Sequence, residues 1–432
     1  MKILSPYKNE FFEDEWGNKF VNKHIPTVGW DKWGTPLVEG TGFFFRLLTS
    51  VRLRGYSIEY PNGSLQTMEL SKPNNLAWLF SWILIKLFPR ESKRRKLLRV
   101  IYDRLGSTNK TMAESFYPEK SDLLVTSTMG HFPMDFIGLT MARKYSIRTM
   151  CILLSWDNLY SRGPVYKHPT KLLVWSKIMK KQALNIHQFQ DHEVGVVGPL
   201  QFVNYAEQLS QEELLTLRRK FSLMDSDKYV LYVCGGRTPQ YDLEDIKILV
   251  KTLKASEYKD HKIIVRPHPQ IDAKYYYQVK DLVYLDYSPS LIGVGDPAKL
   301  FERNDIRHFA ALLVQADYVV SSWGTTALLE ACIFDKKVVQ LNWYDSVPHD
   351  DVIQKNSVRN FQRYYHMQEF DQYEGRLFSY EPSDLISKFR ELSDKDDRFS
   401  ENRNKIRTDF TIGEYSQVVP AITNEIELTC NQ

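Results

Sequence analysis

The sequence predicts an α/β fold with two Rossmann-like, doubly wound lobes and a cleft between them. Short apolar, β-branched segments alternate with amphipathic segments from about residue 121. A polar helical stretch interrupts the alternation, which starts again near residue 229. Strands that alternate with helices form parallel sheets, because each helix carries the chain back across the sheet. Two separate runs of alternation therefore indicate two lobes.

The elements of each lobe follow from length and period. In the first lobe we expect four strands and two intervening helices, whereas residues 1–120 are rich in Trp, Gly and Pro and are expected to add helical insertions. In the second lobe, apolar runs ending in glycine, histidine or serine alternate with helices of period 3.6. The predicted strands lie within 121–128, 147–156, 170–176, 192–200, 228–236, 261–269, 282–288, 316–324 and 336–344.

The predicted domain boundaries follow these changes in pattern. The first lobe is expected to span 1–205 and to be followed by a linker helix over 206–228. The second lobe is expected over 229–383. Charged C-terminal helices over 384–432 are expected to return toward the first lobe.

Composition limits the possible functions and the compartment. The 432 residues carry a net charge of +4, which does not indicate a dedicated nucleic-acid binder. The four cysteines form no CxxC pair, so we expect free thiols in a reducing cytoplasm. No signal peptide is recognised, and no apolar run reaches the roughly 18 residues that a spanning helix needs.

One segment has two interpretations that the sequence leaves open. LAWLFSWILIKLF, residues 76–88, precedes a basic stretch, and 86–99 holds seven basic residues against the single acid Glu91. Tryptophans beside a basic cluster suit peripheral binding to an anionic membrane surface, here the inner face. The alternative is a core helix followed by a solvated basic helix.

Three strand ends of the second lobe carry residues suited to binding a phosphate-containing ligand. In open α/β sheets, ligands bind at the carboxyl ends of the strands. Glycines let a backbone approach a ligand, arginine pairs with phosphate, and a helix N-terminus attracts anions. Each feature alone is common in structural turns, so the prediction depends on their combination. The candidates are Gly236 and Arg237 in CGGRTP, Arg266 and His268 in RPHP, and Ser321, Ser322, Thr325, Thr326 and Glu330 in SSWGTTALLE.

The first lobe offers two candidates for a catalytic base. His131 and Asp135 lie in VTSTMGHFPMD, and Asp157 lies in LLSWDNLYSRGP, both after predicted strands. A base must be a His, Asp or Glu that can reach the acceptor hydroxyl. We favour His131 and Asp157, although the first could cap a helix and the second could hydrogen-bond its own turn.

The second-lobe pattern resembles the nucleotide-binding lobe of GT-B glycosyltransferases. A strand ending in RPHP, followed by ADYVVSSWGTTALLEACIFDKKVV, is similar to enzymes of bacterial surface-polysaccharide assembly, including capsule-type transferases and CDP-glycerol glycerophosphotransferases. The resemblance covers about residues 121–345. It implies that the SSWGTT residues hold the donor phosphate, that Glu330 binds the ribose, and that His268, helped by Arg266 and Arg237, neutralises the leaving phosphate.

The expected activity is therefore that of a metal-independent glycosyltransferase without a cofactor. Its substrates would be a nucleotide-sugar donor and a surface-glycan or lipid-linked acceptor, as in capsule or lipopolysaccharide assembly. A polyol-phosphate transferase of the CDP-glycerol type and a nucleotide-sugar 2-epimerase remain alternatives, because fold does not fix the substrate. A non-enzymatic scaffold would have no need for the full set of site residues.

Overall fold

A computed structural model describes most of the chain from residue 122 onward and short segments before it, and it divides into two compact units. One unit is Met1–Val197 with Val419–Gln432, and the other is Gly198–Val418. The described residues are 2–5, 11–13, 19–24, 27–30, 36–38, 76–88, 93, 96, 97, 100, 122–130, 133–161, 168–236, 238–268, 271–286, 303–323, 326–361, 364–393 and 399–431.

The early part of the first unit contains strands that the sequence analysis did not predict. Among its described residues there are five short strands and the helix Leu76–Leu87. One sheet has the order β1-β3-β2, and β4 pairs antiparallel with β5. The sequence analysis expected helical insertions but not these strands, because strands of three to six residues are too short to show a clear period. The strands are β1 Lys2–Ser5, β2 Phe11–Glu13, β3 Lys19–His24, β4 Thr27–Trp30 and β5 Pro36–Val38.

The rest of the first unit is a four-stranded parallel sheet in sequence order. All neighbouring strands pair in parallel, and the helices that connect them are amphipathic or short. The C-terminal helix Val418–Asn431 belongs to this unit from residue 419, and its Glu425 lies 3.0 Å from Lys171. The strands are β6 Leu123–Thr126, β7 Arg148–Ile152, β8 Lys171–Val174 and β9 Val194–Val196; the helices are Pro133–Lys144, Asn158–Ser161, Lys177–His187 and the 3₁₀ turn Asp191–Glu193.

The second unit is built on a six-stranded parallel sheet. The strand order is β12-β11-β10-β13-β14-β15, so the chain starts near the centre, runs to one edge, returns and runs to the other. The direction reverses between β10 and β13, where α/β sheets bind ligands. The strands are β10 Tyr229–Val233, β11 Lys262–Arg266, β12 Tyr284–Leu285, β13 Tyr318–Ser321, β14 Lys337–Leu341 and β15 Leu377–Ser379.

Helices cover this sheet and complete the unit. Strand β10 is buried along its whole length, as expected for a central parallel strand whose two faces are both covered. The helix Pro239–Lys254 buries Leu243, Ile246, Leu249 and Leu253 on one face. The other helices are Gln211–Lys220, Arg303–Gln315, Thr326–Ile333, Val352–Phe361, Tyr365–Asp371, Leu385–Ser393 and Phe399–Phe410, with 3₁₀ turns at Leu200–Tyr205, Ala273–Val279 and Tyr415–Gln417.

The helix expected to link two lobes is part of the second unit. Ser210 caps Gln211–Lys220 in a capping box with Glu213. Arg307 binds Glu213 at 2.7 Å and also donates to the backbone carbonyl oxygen of Gln208. The division between units thus falls at residues 197 and 198 rather than at 205, and residues 384–418 belong to the second unit.

Within the described ranges, no helix combines the length and apolar character needed to cross a bilayer.

Candidate functional site

The carboxyl ends of β11, β10 and β13 place the predicted glycine turn beside His268 and Trp323. A Cβ atom added to Gly236 would lie 2.8 Å from Cε1 of His268. A Cβ atom on Gly235 would lie 3.2 Å from Cβ of Trp323 and 2.7 Å from Oγ1 of Thr238. Both glycines therefore allow contacts that a larger residue would prevent. The sheet order thus brings the three predicted strand ends together.

Ser321 and Ser322 stabilise this turn through hydrogen bonds in the core. The hydroxyl of Ser321 lies 2.7 Å from the carbonyl oxygen of Val233 and accepts from the backbone N–H of Trp323. The hydroxyl of Ser322 donates to Asp245 and lies 3.0 Å from that of Tyr232. Both serines are fully buried. This arrangement differs from the expected phosphate contacts, because both hydroxyls are already engaged in the core.

The helix that follows the turn begins at Thr326, which is partly exposed. The first N–H groups of a helix have no partner within it, so an anion can bind there. Thr326 thus remains a candidate at the helix N-terminus. Thr325, Arg237 and His131 lie outside the described residues.

Arg266 is buried and paired with two carboxylates. Its guanidinium lies 3.0 Å from Asp305 and also contacts Asp286. Burial opposes ionisation of Asp286, but Arg266, His308 and Lys220 hold its pKa well below the usual range. The positive charge of Arg266 is therefore largely balanced inside the protein. We expected a cation that contacts phosphate directly, whereas the structure shows one that organises the end of β11.

A buried acidic pair under the turn was missed by the sequence analysis. Asp242 lies 3.1 Å from the hydroxyl of Tyr232 and accepts from the N–H of Gly235 at 3.1 Å. Burial raises the pKa of Asp242 well above the usual range and also raises that of Asp245. The sequence YDLEDI could have indicated these buried acids, because Asp242 and Asp245 stand among the apolar residues Leu243 and Ile246, which are buried in the same helix.

His349 connects the acidic pair to the loop after β14. Its Nε2 lies 3.0 Å from Asp245, and its Nδ1 lies 3.0 Å from the carbonyl oxygen of Val347. The ring of Tyr241 stacks on the imidazole at 3.8 Å. His349 therefore anchors the loop that follows β14 to the core of the second unit.

Glu330 is held by a tyrosine from another part of the same unit. The hydroxyl of Tyr205 donates to Oε1 of Glu330 at 2.5 Å. Burial raises the pKa of Glu330 to about 7, and the Tyr205 hydrogen bond and Arg266 oppose the increase. The ring of Tyr205 also packs against the rings of Phe334 and Tyr415, with centroid distances of 4.9 Å and 6.4 Å. No local pattern connects residues 205 and 330, so sequence reasoning could not identify this contact.

Two carboxylates lie at neighbouring strand ends of the first unit. Asp157 follows β7, accepts from the hydroxyl of Ser155, and its carbonyl oxygen accepts from the N–H of Ser161. Asp135 follows β6 and accepts from the hydroxyl of Thr128. Burial raises the pKa of Asp135 to about 6. Asp135, which was not among the favoured bases, thus joins Asp157 as a candidate.

Among the residues that the structure describes, no group of three or more His, Cys, Asp or Glu side chains could hold a metal ion.

Comparisons with known proteins give matches only among solved structures. No protein-family model matches the chain, and no curated protein sequence matches it. The chain is similar to the S. aureus MnaA–UDP complex at 15% identity and a TM-score of 0.45, over 76% of this chain and 82% of that one. It is similar to the wall teichoic acid polymerase TagF soaked with CDPG, at 13% identity and a TM-score of 0.41, over 78% of this chain and 98% of that one. It is also similar to Anabaena HepE with UDP-glucose, at 12% identity and a TM-score of 0.41, over 74% of this chain and 82% of that one.

Proposed function

We propose that this chain is an enzyme that moves a sugar from a nucleotide-activated donor to a surface-glycan or lipid-linked acceptor, without a metal ion. The observation that carries the proposal is the meeting of three strand ends, where Gly236 packs on His268 beside the turn before Thr326. That combination supplies a close backbone approach, an imidazole and helix N–H groups at one edge.

The donor diphosphate would bind between the glycine turn and the start of the helix Thr326–Ile333. Departure of a nucleotide leaves negative charge on phosphate, and fixed N–H donors and His268 would stabilise that charge. Arg237 and Thr325 keep the roles that the sequence resemblance implies. Arg266 would act indirectly, by fixing the end of β11 through Asp286 and Asp305.

Glu330 would bind the ribose of the donor. Its Oε1 is occupied by Tyr205, and among the described residues no side chain donates to Oε2. An ionised carboxylate can accept hydrogen bonds from ribose hydroxyl groups. The partial burial of Glu330 makes each such bond stronger than it would be in water.

The first unit would supply the base that removes the acceptor proton. His131 and Asp157 are the candidates from the sequence, and Asp135 is a further candidate because burial raises its pKa. A carboxylate with a pKa of about 6 is a stronger base than an ordinary aspartate and is still mostly ionised at pH 7. Asp135 thus has the protonation behaviour that a general base needs.

The acceptor side would include an anionic membrane surface at the cytoplasmic face. Phe80, Ile83 and Leu87 are exposed by 47%, 38% and 65%, and their spacing puts them on one face of the helix Leu76–Leu87. Lys93 and Lys96 are exposed nearby in sequence. Apolar side chains with basic neighbours match the interface of an anionic bilayer.

Vesicle sedimentation tests that contact. We expect binding to phosphatidylglycerol vesicles but not to phosphatidylcholine vesicles. Lys93→Gln/Lys96→Gln should lower the partition coefficient about 30-fold, because each basic residue contributes about 1 kcal/mol at such a surface. The control Lys251→Gln/Lys274→Gln changes exposed lysines of the second unit. Equal binding to both vesicle types would refute the membrane contact and leave the transferase proposal intact.

Calorimetry with a panel of UDP, GDP, TDP, CDP and CMP tests the donor site. We expect one nucleotide to bind the wild type and to bind His268→Ala and Glu330→Ala at least about tenfold more weakly, which is the loss of one charge-assisted contact. Glu212→Ala is the control, because Glu212 is exposed and bonds only on the surface of its helix. Absence of nucleotide binding, or unchanged binding in both variants, would refute the proposal.

A polyol-phosphate transferase and a nucleotide-sugar 2-epimerase are the alternative functions. CMP or CDP as the preferred nucleotide would favour transfer of a polyol phosphate or an acid sugar. An epimerase would convert a nucleotide sugar in the absence of any acceptor, whereas a transferase releases free nucleotide at a rate that depends on the acceptor. Product analysis with and without acceptor therefore separates the two reactions.

A further inference from the structure

A concavity of about 400 Å³ opens at the opposite edge of the second sheet from the candidate donor site. It is lined by Lys262 and Tyr284, which begin β11 and β12, and by the C-terminal turn of the helix Pro239–Lys254. Small-molecule sites occupy about 300–1,000 Å³, so a compact ligand would fit. The donor site uses the other ends of these strands and does not account for this cavity.

The rim of the concavity carries unbalanced positive charge. Four lysines line the concavity: Lys254, Lys259, Lys262 and Lys280. The single lining carboxylate is Asp281, and we call this concavity the lysine pocket. Within the described part of the chain, none of the four forms an ion pair with a carboxylate. The helix C-terminus partly stabilises the charge of Lys254, which ends its helix. The other three lysines share the single lining carboxylate Asp281.

The floor of the concavity is apolar. Leu253, Ile263 and Val283 are buried and belong to the hydrophobic core under the sheet. His261 also lines the site, and burial lowers its pKa, with Lys228 acting in the same direction and Asp317 opposing. His261 is therefore mostly neutral near pH 7, so it offers a hydrogen bond rather than a charge. The ligand must then have an apolar side as well as an anionic one.

We propose that the lysine pocket is a second binding site, for a small phosphate-bearing anion with an apolar body. Ammonium groups gathered on one rim repel one another, and a bound phosphate would relieve that repulsion. Lysine binds phosphate as a point charge, so the site needs no fixed fork geometry. The apolar body would cover the floor and exclude water from it. The proposal is independent of the donor site.

Equilibrium binding of 1-naphthyl phosphate, followed by its fluorescence, tests the site. This probe has a planar body and a phosphate but no ribose, so it lacks the group that Glu330 would recognise. We expect saturable binding to the full chain, with weaker binding as salt rises, because surface charges are screened. In Lys259→Gln/Lys280→Gln the affinity should fall about tenfold or more, which corresponds to two lost contacts at an exposed rim.

Matched variants and probes decide the outcome. Lys247→Gln/Lys274→Gln removes the same charge from exposed positions of the second unit outside the cavity and should bind like the wild type. Thermal melts of both variants establish that each is folded. Equal affinity in the Lys259/Lys280 variant, an equal loss in the control, or no binding to the wild type would overturn the proposal. Binding of 1-naphthol or inorganic phosphate as tight as that of 1-naphthyl phosphate would also overturn it.

Discussion

Replacing Tyr205 by Phe should move the pH dependence of donor binding toward higher pH. The Tyr205 hydroxyl donates to Glu330 at 2.5 Å, and this bond favours the ionised carboxylate against burial, which raises the pKa of Glu330 to about 7. A hydrogen bond to a charged group contributes about 1.5 kcal/mol at the lower end of its range. Since 1.36 kcal/mol corresponds to one pKa unit, the variant should have a Glu330 pKa of about 8.

The sign of the effect on affinity follows from the form that binds. Ribose hydroxyl groups donate to the ionised carboxylate, so affinity should rise as pH increases through 7 in the wild type and through about 8 in the variant. At pH 7, about half of the wild-type carboxylates and about a tenth of those in the variant would be ionised. The variant should therefore bind about fivefold more weakly at pH 7 and nearly equally at pH 9.

Calorimetry between pH 6.5 and 9.5 with the nucleotide that binds best measures this shift. The charged or titratable groups facing Glu330 are Tyr205, Tyr415 and Arg266. Tyr415→Phe is the matched control, because that hydroxyl contacts Thr411 instead of Glu330 and the inflection should stay near pH 7. Glu330→Gln should abolish the inflection. The reasoning fails if Tyr205→Phe weakens binding equally at every pH, because that result would mean that Tyr205 acts through packing.

Three further predictions concern the turn and its supports. Gly236→Ala should weaken nucleotide binding about tenfold or more with a small change in Tm, because its Cβ would lie 2.8 Å from the imidazole behind it; unchanged binding by calorimetry would show that the ring can move freely. Asp245→Ala should lower the free energy of unfolding in urea by about 3 kcal/mol, because it leaves buried polar partners unpaired, and a loss below about 1 kcal/mol would contradict that account. Arg307 holds the pKa of Glu213 at about 2, so the free energy of unfolding that this pair contributes should be complete above pH 4.5 and lost as pH falls toward 2. Over that range Arg307→Ala should lose less stability in urea unfolding than the wild type, and equal losses would contradict the pairing.

The alternation of strands and helices after residue 121 was predictable, because the parallel strands are continuous apolar runs and the helices have a clear buried face. The meeting of Gly236 with His268 could be expected only in part. The sequence places both at strand ends, but it does not show that β11 and β10 are neighbours in the sheet. Strand order depends on packing between distant segments, which no local period records.

The individual side chains of the site were harder to predict than the fold. Ser321 and Ser322 have the residue types of a phosphate turn, but a serine at the end of a buried strand can equally satisfy backbone and carboxyl groups of the core. The partner of Glu330 is 125 residues distant in sequence. Asp242 and Asp245 are different, because acids spaced three apart on an apolar helix face already indicate buried, hydrogen-bonded carboxyls.

A chain of hydrogen bonds joins the two buried acids. The hydroxyl of Ser322 donates to Asp245 and lies 3.0 Å from the hydroxyl of Tyr232. Tyr232 donates in turn to Asp242 at 3.1 Å. Burial raises the pKa of Asp242 well above the usual range, and these hydrogen bonds oppose that increase only in part.

Asp242 also supports the proposed donor site. Its carboxyl fixes the glycine turn through the N–H of Gly235, and burial favours its neutral form, which limits the negative charge beneath the place where phosphate would bind. Asp286 and Asp305 are nearby carboxylates, and they pair with two cations, Arg266 and Lys220. The N-terminus of the helix Thr326–Ile333 then contributes positive potential at the strand ends. The buried acids therefore supply rigidity at the site without repelling an anionic ligand.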